Sequence, residues 1–280
     1  PLYTHTFRQD EYGALSLAYA FMGFALIIYR YGMDTALMKY SVQKQGVERN
    51  KYITVIIGSQ LITGIFFTII LYGTRLYSAE YILGLDKPDW IIYLAVILFF
   101  DSLWSLPMLI LRSEERPIPF IAFSLLNVIL TMVLNILFVV HWGQGIDGVF
   151  KANIIASGVI FFSSAPIIIK RIHLGSFEKD ILITVFKFAI PFMPAGIFTM
   201  IMELSDRYIL EFYLGSADVG LYSAGKKMGM LGLTVVMGFN MGWTPYFLKR
   251  GKEQGARIEF SKIGTFFLGL MGYITLLVSL

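Results

Sequence analysis

Long uninterrupted apolar runs are the main feature of this chain, and short segments holding most of its charged residues separate them. A helix needs about 20 apolar residues to cross the roughly 30 Å hydrocarbon core of a bilayer. Eight runs have about that length. The pattern therefore predicts eight membrane spans, at residues 14–37, 52–72, 90–111, 118–140, 149–169, 188–209, 228–248 and 263–280.

The continuity of these runs indicates helices. Within lipid every backbone N–H and C=O group needs an internal partner, which leaves α-helices and closed β-barrels as spanning structures. Barrel strands alternate apolar and polar residues over about ten positions, whereas the runs here do not alternate. The predicted fold class is all-α, a polytopic transmembrane helix bundle.

Lysine and arginine are distributed unequally between alternate loops. The loops at residues 39–51, 112–119, 170–187 and 249–262 hold 15 of them, and the other loops, with Arg207 at a helix end, hold 7. Cytoplasmic loops of membrane proteins carry the excess of positive charge. The first set is therefore predicted to be cytoplasmic.

Composition supports a protein that faces lipid. Hydrophobic residues make up 56% of the chain and charged residues 15%, whereas soluble domains have about 25% charged residues. The net charge is +4, but the cations punctuate apolar runs and do not form the basic face that nucleic acid requires. Membrane lipid is the expected partner, and nucleic acid is not.

No arrangement of residues points to catalysis. The three histidines, His5, His141 and His173, lie in predicted loops on both sides of the membrane, and the chain has no Cys. It also lacks a Gly-x-Ser-x-Gly elbow, a His-Glu-x-x-His pair and a phosphate-binding glycine loop. We therefore expect no enzyme, metal or cofactor, and favour a transporter over a membrane glycan polymerase or acyltransferase.

A short internal echo predicts two halves. Residues 11–16 resemble residues 218–223, and transporters are commonly built from such repeats. With the linker placed within residues 170–187, we expect an N-terminal lobe over 1–175 and the start of a C-terminal lobe over 176–280. The sequence has no initiator Met and stops in an apolar run, so we expect a fragment that lacks its first span and the end of its second lobe.

Several motifs stand in order along the chain. The first pairs Pro1-Leu2-Tyr3-Thr4 with Asp10-Glu11-Tyr12-Gly13. The others are Leu111-Arg112-Ser113-Glu114-Glu115-Arg116-Pro117, Pro191-Phe192-Met193-Pro194, Asp206-Arg207-Tyr208-Ile209-Leu210 and, after Gly215, Val219-Gly220-Leu221-Tyr222-Ser223. In this order they resemble the polysaccharide-export flippases of the multidrug/oligosaccharidyl-lipid/polysaccharide exporter superfamily.

This resemblance implies a two-lobe, inverted-V transporter fold in which the chain runs from the end of the family's first span into its ninth. It also implies an O-antigen or capsular polysaccharide export protein of the bacterial inner membrane. Such proteins move polyprenyl-diphosphate-linked oligosaccharides for surface polysaccharide, including lipopolysaccharide, by alternating access. The alternative is a cation-coupled multidrug exporter of the same superfamily.

Asp101 is the most distinctive charged residue within a predicted span, because it lies near the middle of run 90–111. A charge at this depth is costly and is a functional candidate by default. It predicts a proton or Na⁺ coupling site, or a gate. The competing interpretation is a protonated Asp hydrogen-bonded to a neighbouring helix, with Ser102 and Ser105 as nearby partners.

Arg30 and Asp34 stand four residues apart in the first predicted span, where a continuous helix would place them on one face. Arg30 is a candidate to bind the diphosphate of the lipid-linked substrate, and Asp34 a candidate for ion coupling or gating. The competing interpretation is that Arg30 extends to the cytoplasmic headgroups, with Asp34 as its neutralising partner.

A second charged group lies at the outer end of the sixth predicted span. Glu203 and Asp206 are candidates for ion coupling or gating, and Arg207 for substrate binding, with Lys226 and Lys227 of the next span. The competing interpretation for all five is an ion-pair network that closes the outer end of the bundle.

Overall fold

The computed structural model describes residues 3, 6–84, 86–172, 178–250 and 255–279, and nearly all of them are helical. The all-α prediction is confirmed. A π-helical turn, Ile136–His141, extends α6. The helices are α1 Gln9–Arg30, α2 Met33–Gln43, α3 Gly46–Gly73, α4 Arg75–Leu83, α5 Pro88–Ser113, α6 Pro117–Asn135, α7 Gly145–Ile169, α8 Lys179–Ala189, α9 Phe192–Leu214, α10 Ser216–Arg250 and α11 Ala256–Ser279.

Six helical segments in the described part of the chain are long and apolar enough to cross a membrane, and they fall on the first six predicted spans. The last two predicted spans lie on α10 and α11, where crossing of the membrane stays a prediction. The six segments are Gln9–Arg30, Gly46–Gly73, Pro88–Ser113, Pro117–His141, Gly145–Ile169 and Lys179–Leu214.

The chain divides into two compact units, Pro1–Val219 and Gly220–Leu280. In the second unit α10 and α11 pack through the ring of Phe239, which stacks on Phe267 with centroids 4.0 Å apart. The lobe boundary predicted between residues 175 and 176 lies outside the described residues, so that division stays a prediction.

Helix α5 is the centre of the first unit and packs against α1, α2, α3, α4, α6 and α7. Most of its apolar side chains are buried, and Gln60 of α3 donates a hydrogen bond to the Ser102 carbonyl of α5 at 2.7 Å. Helix α6 differs, because Asn135 is its one buried residue. The exposed surface of α6 is therefore suited to contact with lipid tails.

Three loops predicted to be cytoplasmic meet around one carboxylate. Glu114 accepts hydrogen bonds from Arg49 at 2.5 Å and from Arg171 at 2.8 and 2.5 Å. These side chains expose only 16–22% of their surface. Burial alone would raise the pKa of Glu114, but the hydrogen bonds and charges of Arg171 and Arg49 together lower it below its usual value. These contacts join the start of α3 to the ends of α5 and α7.

The loops of the other set meet at the opposite end of the first unit. They surround a cavity of about 390 Å³ whose lining includes Asp10, Lys87, Gln144 and Ser216. Trp90 at the start of α5 donates to Asp147 at the start of α7, at 2.7 Å. Within the first unit the described loops therefore alternate between two ends, and the assignment of one end to the cytoplasm stays a prediction.

Replacing Glu114 with Gln should lower the unfolding midpoint of the protein in detergent, because Arg49 and Arg171 would lose their shared anion. Hydrogen bonds to charged groups contribute roughly 1.5–3 kcal/mol each to stability. Since the folded pKa of Glu114 is lowered, its contribution is complete above the unfolded value of about 4.3 and is lost as pH falls through the folded pKa. The difference between the two proteins should therefore shrink in acid.

Glu115→Gln is the matched control for this change. Glu115 is the next residue and is exposed, so its replacement should leave the unfolding midpoint unchanged at every pH. Equal midpoints for the two variants at neutral pH would contradict the importance of the Glu114 contacts.

Candidate functional site

Two interrupted helices meet inside the first unit. The first predicted span was expected to be continuous over residues 14–37, but α1 ends at Arg30 and α2 begins at Met33. Tyr31 and Gly32 between them have φ angles of 32° and 80°. The sixth predicted span is likewise divided between α8 and α9, with Pro191 at the N-cap of α9.

The two interruptions contact each other through backbone atoms. A β-carbon on Gly32 would lie 2.1 Å from the carbonyl oxygen of Ala189, the last residue of α8. No side chain fits at this distance, and the positive φ of Gly32 also favours glycine. This contact fixes the level in the bundle at which both helices break.

A cavity of about 380 Å³ lies beside these breaks. Arg30, Asp34 and Thr35 line it from one side, and Phe192 and Thr199 line it from α9. Residues from the first turns of α2 and α9 therefore border it. Helix N-termini carry unpaired N–H groups and partial positive charge, which favour anions. The cavity borders these two first turns and one guanidinium group, and the N–H of Thr35 already donates to Asp34.

Arg30 has hydrogen-bonding capacity to spare. Its Nε atom is buried and has no hydrogen-bond partner in the described part of the chain. The side chain also lines a second cavity of about 220 Å³, together with Asp34, Trp104 and Arg112. Arg30 thus lies between two cavities.

The expected pairing of Arg30 with Asp34 on one helix face is wrong. The break at Tyr31 and Gly32 places the two residues on different helices, and Asp34 Oδ1 accepts the backbone N–H of Thr35 at 2.9 Å. Among the described residues there is no ion pair between Arg30 and Asp34, although Asp34 and Asp101 both lie within electrostatic reach of Arg30. The structure brings these three predicted residues into one region.

Asp101 is hydrogen-bonded within its helix and to a neighbouring one. Its Oδ1 atom accepts the indole N–H of Trp104 at 2.8 Å and the hydroxyl of Ser157 on α7 at 2.6 Å. Ser102 and Ser105, the partners expected from the sequence, instead donate to carbonyl groups of their own helix. Those expected partners are wrong, because a serine can bond the preceding turn of its own helix.

Further hydrogen bonds between polar side chains join α1, α6 and α7 and the N-terminal residues. Asn153, one turn before Ser157, donates to the hydroxyl of Tyr19 on α1 at 3.0 Å. Near the end of α6, Asn135 accepts the hydroxyl of Tyr3 at 2.9 Å. These contacts between helices satisfy polar groups in the interior of the bundle.

Three other predicted site residues of the first unit, Glu203, Asp206 and Arg207, are not among the residues that line the two cavities at Arg30. On α9, Arg207 points back to α1, where its Nη1 atom lies 3.5 Å from the Ser16 carbonyl oxygen. Asp206 accepts the backbone N–H of Arg207 at 2.9 Å, and Glu203 is exposed. Lys226 and Lys227 belong to the second unit, in which the Lys226 ammonium lies 5.7 Å from the centre of the Tyr222 ring.

Comparison with known proteins decides the family. The polysaccharide biosynthesis protein family matches residues 1–250 of this chain. The chain belongs to this family. The polysaccharide biosynthesis protein family covers the lipid-linked oligosaccharide flippases that the sequence motifs resemble. No curated protein and no solved structure matches the chain significantly.

Membership of the polysaccharide biosynthesis family, together with several long apolar helices, makes this a multi-pass membrane protein of polysaccharide biosynthesis. The described residues contain no group of three His, Cys, Asp or Glu side chains suited to a metal ion. The expectation that no metal or cofactor takes part stays a prediction.

Sequence reasoning missed the neutral members of the site. Thr35, Thr199, Trp104 and Ser157 carry no charge, so nothing in an apolar sequence distinguishes them from residues that pack against lipid. The helix N-termini at the cavity were also missed. Pro191 gave a visible signal for one break, whereas Gly32 is one of 26 glycines and gave none.

Replacing Gly32 with Ala should destabilise the protein more than replacing Gly46 with Ala. Both glycines have positive φ, 80° and 55°, and an L-residue in this region costs about 1–2 kcal/mol. Only Gly32 adds a backbone clash, because nothing lies within 4 Å of a β-carbon on Gly46. Unfolding midpoints in detergent measure the difference, and equal midpoints would contradict the close contact with Ala189.

Replacing Asp101 with Ala should lower the unfolding midpoint, because the Trp104 and Ser157 donors would lose their acceptor. Such unsatisfied buried groups cost about 1–3 kcal/mol each. Asp101→Asn keeps an acceptor oxygen and should retain most of the stability. Ser105→Ala is the control. Equal unfolding midpoints for Asp101→Ala and Ser105→Ala would contradict a stabilising role for the contacts to Asp101.

Proposed function

We propose that this protein moves polyprenyl-diphosphate-linked oligosaccharides across the bacterial inner membrane by alternating access, as a transporter and not an enzyme. The transported oligosaccharides would be used to build surface polysaccharides, such as capsule or the O-antigen of lipopolysaccharide. The observation that carries the proposal is the cavity at the two helix breaks, where the Nε atom of Arg30 has no hydrogen-bond partner among the residues that the structure describes.

The chemistry of this cavity suits a diphosphate. Charge-assisted hydrogen bonds are roughly twice as strong as neutral ones, and a guanidinium group can hold two phosphate oxygens at once. A cation within the apolar bundle is costly to retain, and binding an anion offsets that cost.

Ion coupling forms a further part of the proposal. Asp34 and Asp101 lie within electrostatic reach of Arg30. A proton or Na⁺ at either carboxylate would remove negative charge near Arg30 and would strengthen its attraction for an anion. Glu203 and Asp206 on α9 are proposed to gate the opposite end, and Lys226 and Lys227 to add cations for the substrate.

A cation-coupled multidrug exporter is the second candidate. The observation that favours it is the pair of carboxylates, Asp34 and Asp101, near the cavity. A drug cation would bind to these carboxylates and would be repelled by Arg30. The two functions therefore predict opposite effects of removing the positive charge of Arg30.

Replacing Arg30 with Ala in the full-length protein should reduce glycan export in an export-deficient strain, at matched membrane abundance. Loss of a hydrogen bond to a charged group costs roughly 1.5–3 kcal/mol, which is about tenfold to a hundredfold in recognition. Arg30→Lys should retain part of the export because it keeps a positive charge. Surface glycan is measured with labelled lectin or by gel.

Arg116→Ala is the control, because Arg116 is an exposed cation at the same end of the bundle, and it should export normally. Normal export by Arg30→Gln would show that Arg30 only extends to the headgroups. Faster efflux of a cationic dye by Arg30→Ala, without any change in glycan, would favour the multidrug exporter.

A further inference from the structure

A short helix, α4, connects two membrane spans at the outer end of the bundle, the end predicted to face away from the cytoplasm. Thr74 is the single residue between the end of α3 and the start of α4. Beyond the other end of α4, a β-carbon on Gly84 would lie 3.9 Å from the Glu211 carboxylate of α9. Helix α4 also contacts α1 and α5. It therefore runs across the outer ends of other helices and does not continue the span of α3.

One face of α4 packs against the rest of the first unit. Ser78, Ala79 and Leu83 are buried, and their spacing places them on one side of a helix. The small side chains of Ser78 and Ala79 allow α4 to lie close to its neighbours. This packing fixes the rotation of α4 about its own axis, and so fixes which residues it presents outwards.

The junction between α3 and α4 is held by local contacts. The Arg75 guanidinium donates to the carbonyl of Tyr72 at 3.0 Å, and it lies 4.6 Å from the centre of the Tyr72 ring. Thr74 donates both its backbone N–H and its hydroxyl to the Ile70 carbonyl at 2.9 Å. These contacts fix the direction in which α4 leaves the end of the membrane span.

The opposite face of α4 is exposed in the first unit, and it is rich in apolar surface. Leu76, Tyr77 and Tyr81 leave 62%, 71% and 79% of their surface exposed. We call these three residues the α4 surface. Glu80 lies on the same exposed face. A helix face in water normally carries charged and polar residues, so three large side chains with apolar bodies indicate a different environment.

The α4 surface continues the lipid-facing side of α3. Helix α3 is long and apolar enough to cross a membrane. Since only Thr74 separates the two helices, the α4 surface begins where this side of α3 ends. The exposed large side chains along the outer half of α3 are Leu61, Ile62, Ile65, Phe66, Ile69, Ile70 and Tyr72.

The residue types of α4 indicate its depth in the membrane. Tyrosine has an apolar ring and a polar hydroxyl, and it is enriched at the level of the lipid headgroups. Helices that lie in this layer bury an apolar face and keep their charged groups in water. Arg75 and Glu80 would be costly within hydrocarbon, which argues against a deeper position. The boundary between hydrocarbon and water suits all of these side chains.

We infer that α4 is an interfacial anchor, with Leu76, Tyr77 and Tyr81 buried among the lipid headgroups of the leaflet that faces away from the cytoplasm. The partner of the α4 surface is the lipid surface itself. Because α4 joins α3 to α5, the anchor holds the outer ends of both spans at a fixed depth. The inference does not depend on which molecule the protein moves, so it can fail while the proposed function stands, and the reverse.

The experiment measures the depth of the α4 surface in the full-length protein, in vesicles of phosphatidylethanolamine and phosphatidylglycerol. This chain has no Cys, so in a protein cleared of any other Cys, Tyr77→Cys and Tyr81→Cys each carry one fluorescent bimane label. Phe66→Cys on α3 is the hydrocarbon reference, and Asp86→Cys in the loop after α4 is the water reference. The quenchers are lipids with a spin label on the headgroup, lipids with a spin label in the acyl chain, and iodide.

The headgroup quencher should act most strongly at residues 77 and 81, the acyl-chain quencher at residue 66, and iodide at residue 86. In a second measurement, Tyr77→Ser combined with Tyr81→Ser should lower the unfolding midpoint in the same vesicles by about 2–4 °C. Tyr77→Trp combined with Tyr81→Trp should keep the original midpoint, because Trp shares the preference of Tyr for the headgroup layer.

Four outcomes would overturn the inference. Iodide quenching at residues 77 and 81 that equals quenching at residue 86 would place the α4 surface in water. Acyl-chain quenching that equals quenching at residue 66 would place it in hydrocarbon. Weak quenching by every reagent would show that another part of the full-length protein covers it. An unchanged midpoint in the double serine variant would show that the α4 surface does not anchor the protein.

Discussion

The contact between Gly32 and the Ala189 carbonyl sets the arrangement of the whole candidate site. A β-carbon at residue 32 would lie 2.1 Å from that oxygen. The two backbone segments therefore approach more closely than any side chain at residue 32 would permit. A helix break within a membrane is tolerated only where its freed backbone groups lie within protein or line a cavity. Because two breaks meet here, the structure has a cavity, helix N-termini that border it, and a position for Arg30 between them.

Charged residues in the bundle differ in the partners that the fold gives them. Asp101 is held by Trp104 and Ser157, and Glu114 by Arg49 and Arg171. These carboxylates join helices to one another, so replacing either one should lower stability, and Asp101 is proposed to take part in ion coupling as well. Among the described residues, the buried Nε atoms of Arg30, Arg49 and Arg207 have no hydrogen-bond partner. Of these three arginines Arg30 lines the cavity at the helix breaks, and we interpret its spare donor as capacity reserved for the substrate.

The first predicted span shows where sequence reasoning fails. Hydropathy is averaged over a window of residues, and an average does not register one glycine with positive φ. The run 14–37 was therefore predicted to be one helix with Arg30 and Asp34 on one face. The break at Tyr31 and Gly32 places these two residues on different helices. The interruption between α8 and α9 contains Pro191, which cannot donate the backbone hydrogen bond that a continuous helix needs.

The sequence by itself determined the all-α membrane class, the first six spans, the alternation of loops between two ends, and the family. These properties depend on hydrophobicity and charge summed along the chain, which neighbouring helices do not alter. Only the tertiary structure decided which residues meet. Ser157 reaches Asp101 across 56 positions, and Arg171 reaches Glu114 across 57. Such contacts depend on the rotation and depth of each helix in the bundle, and close packing sets both.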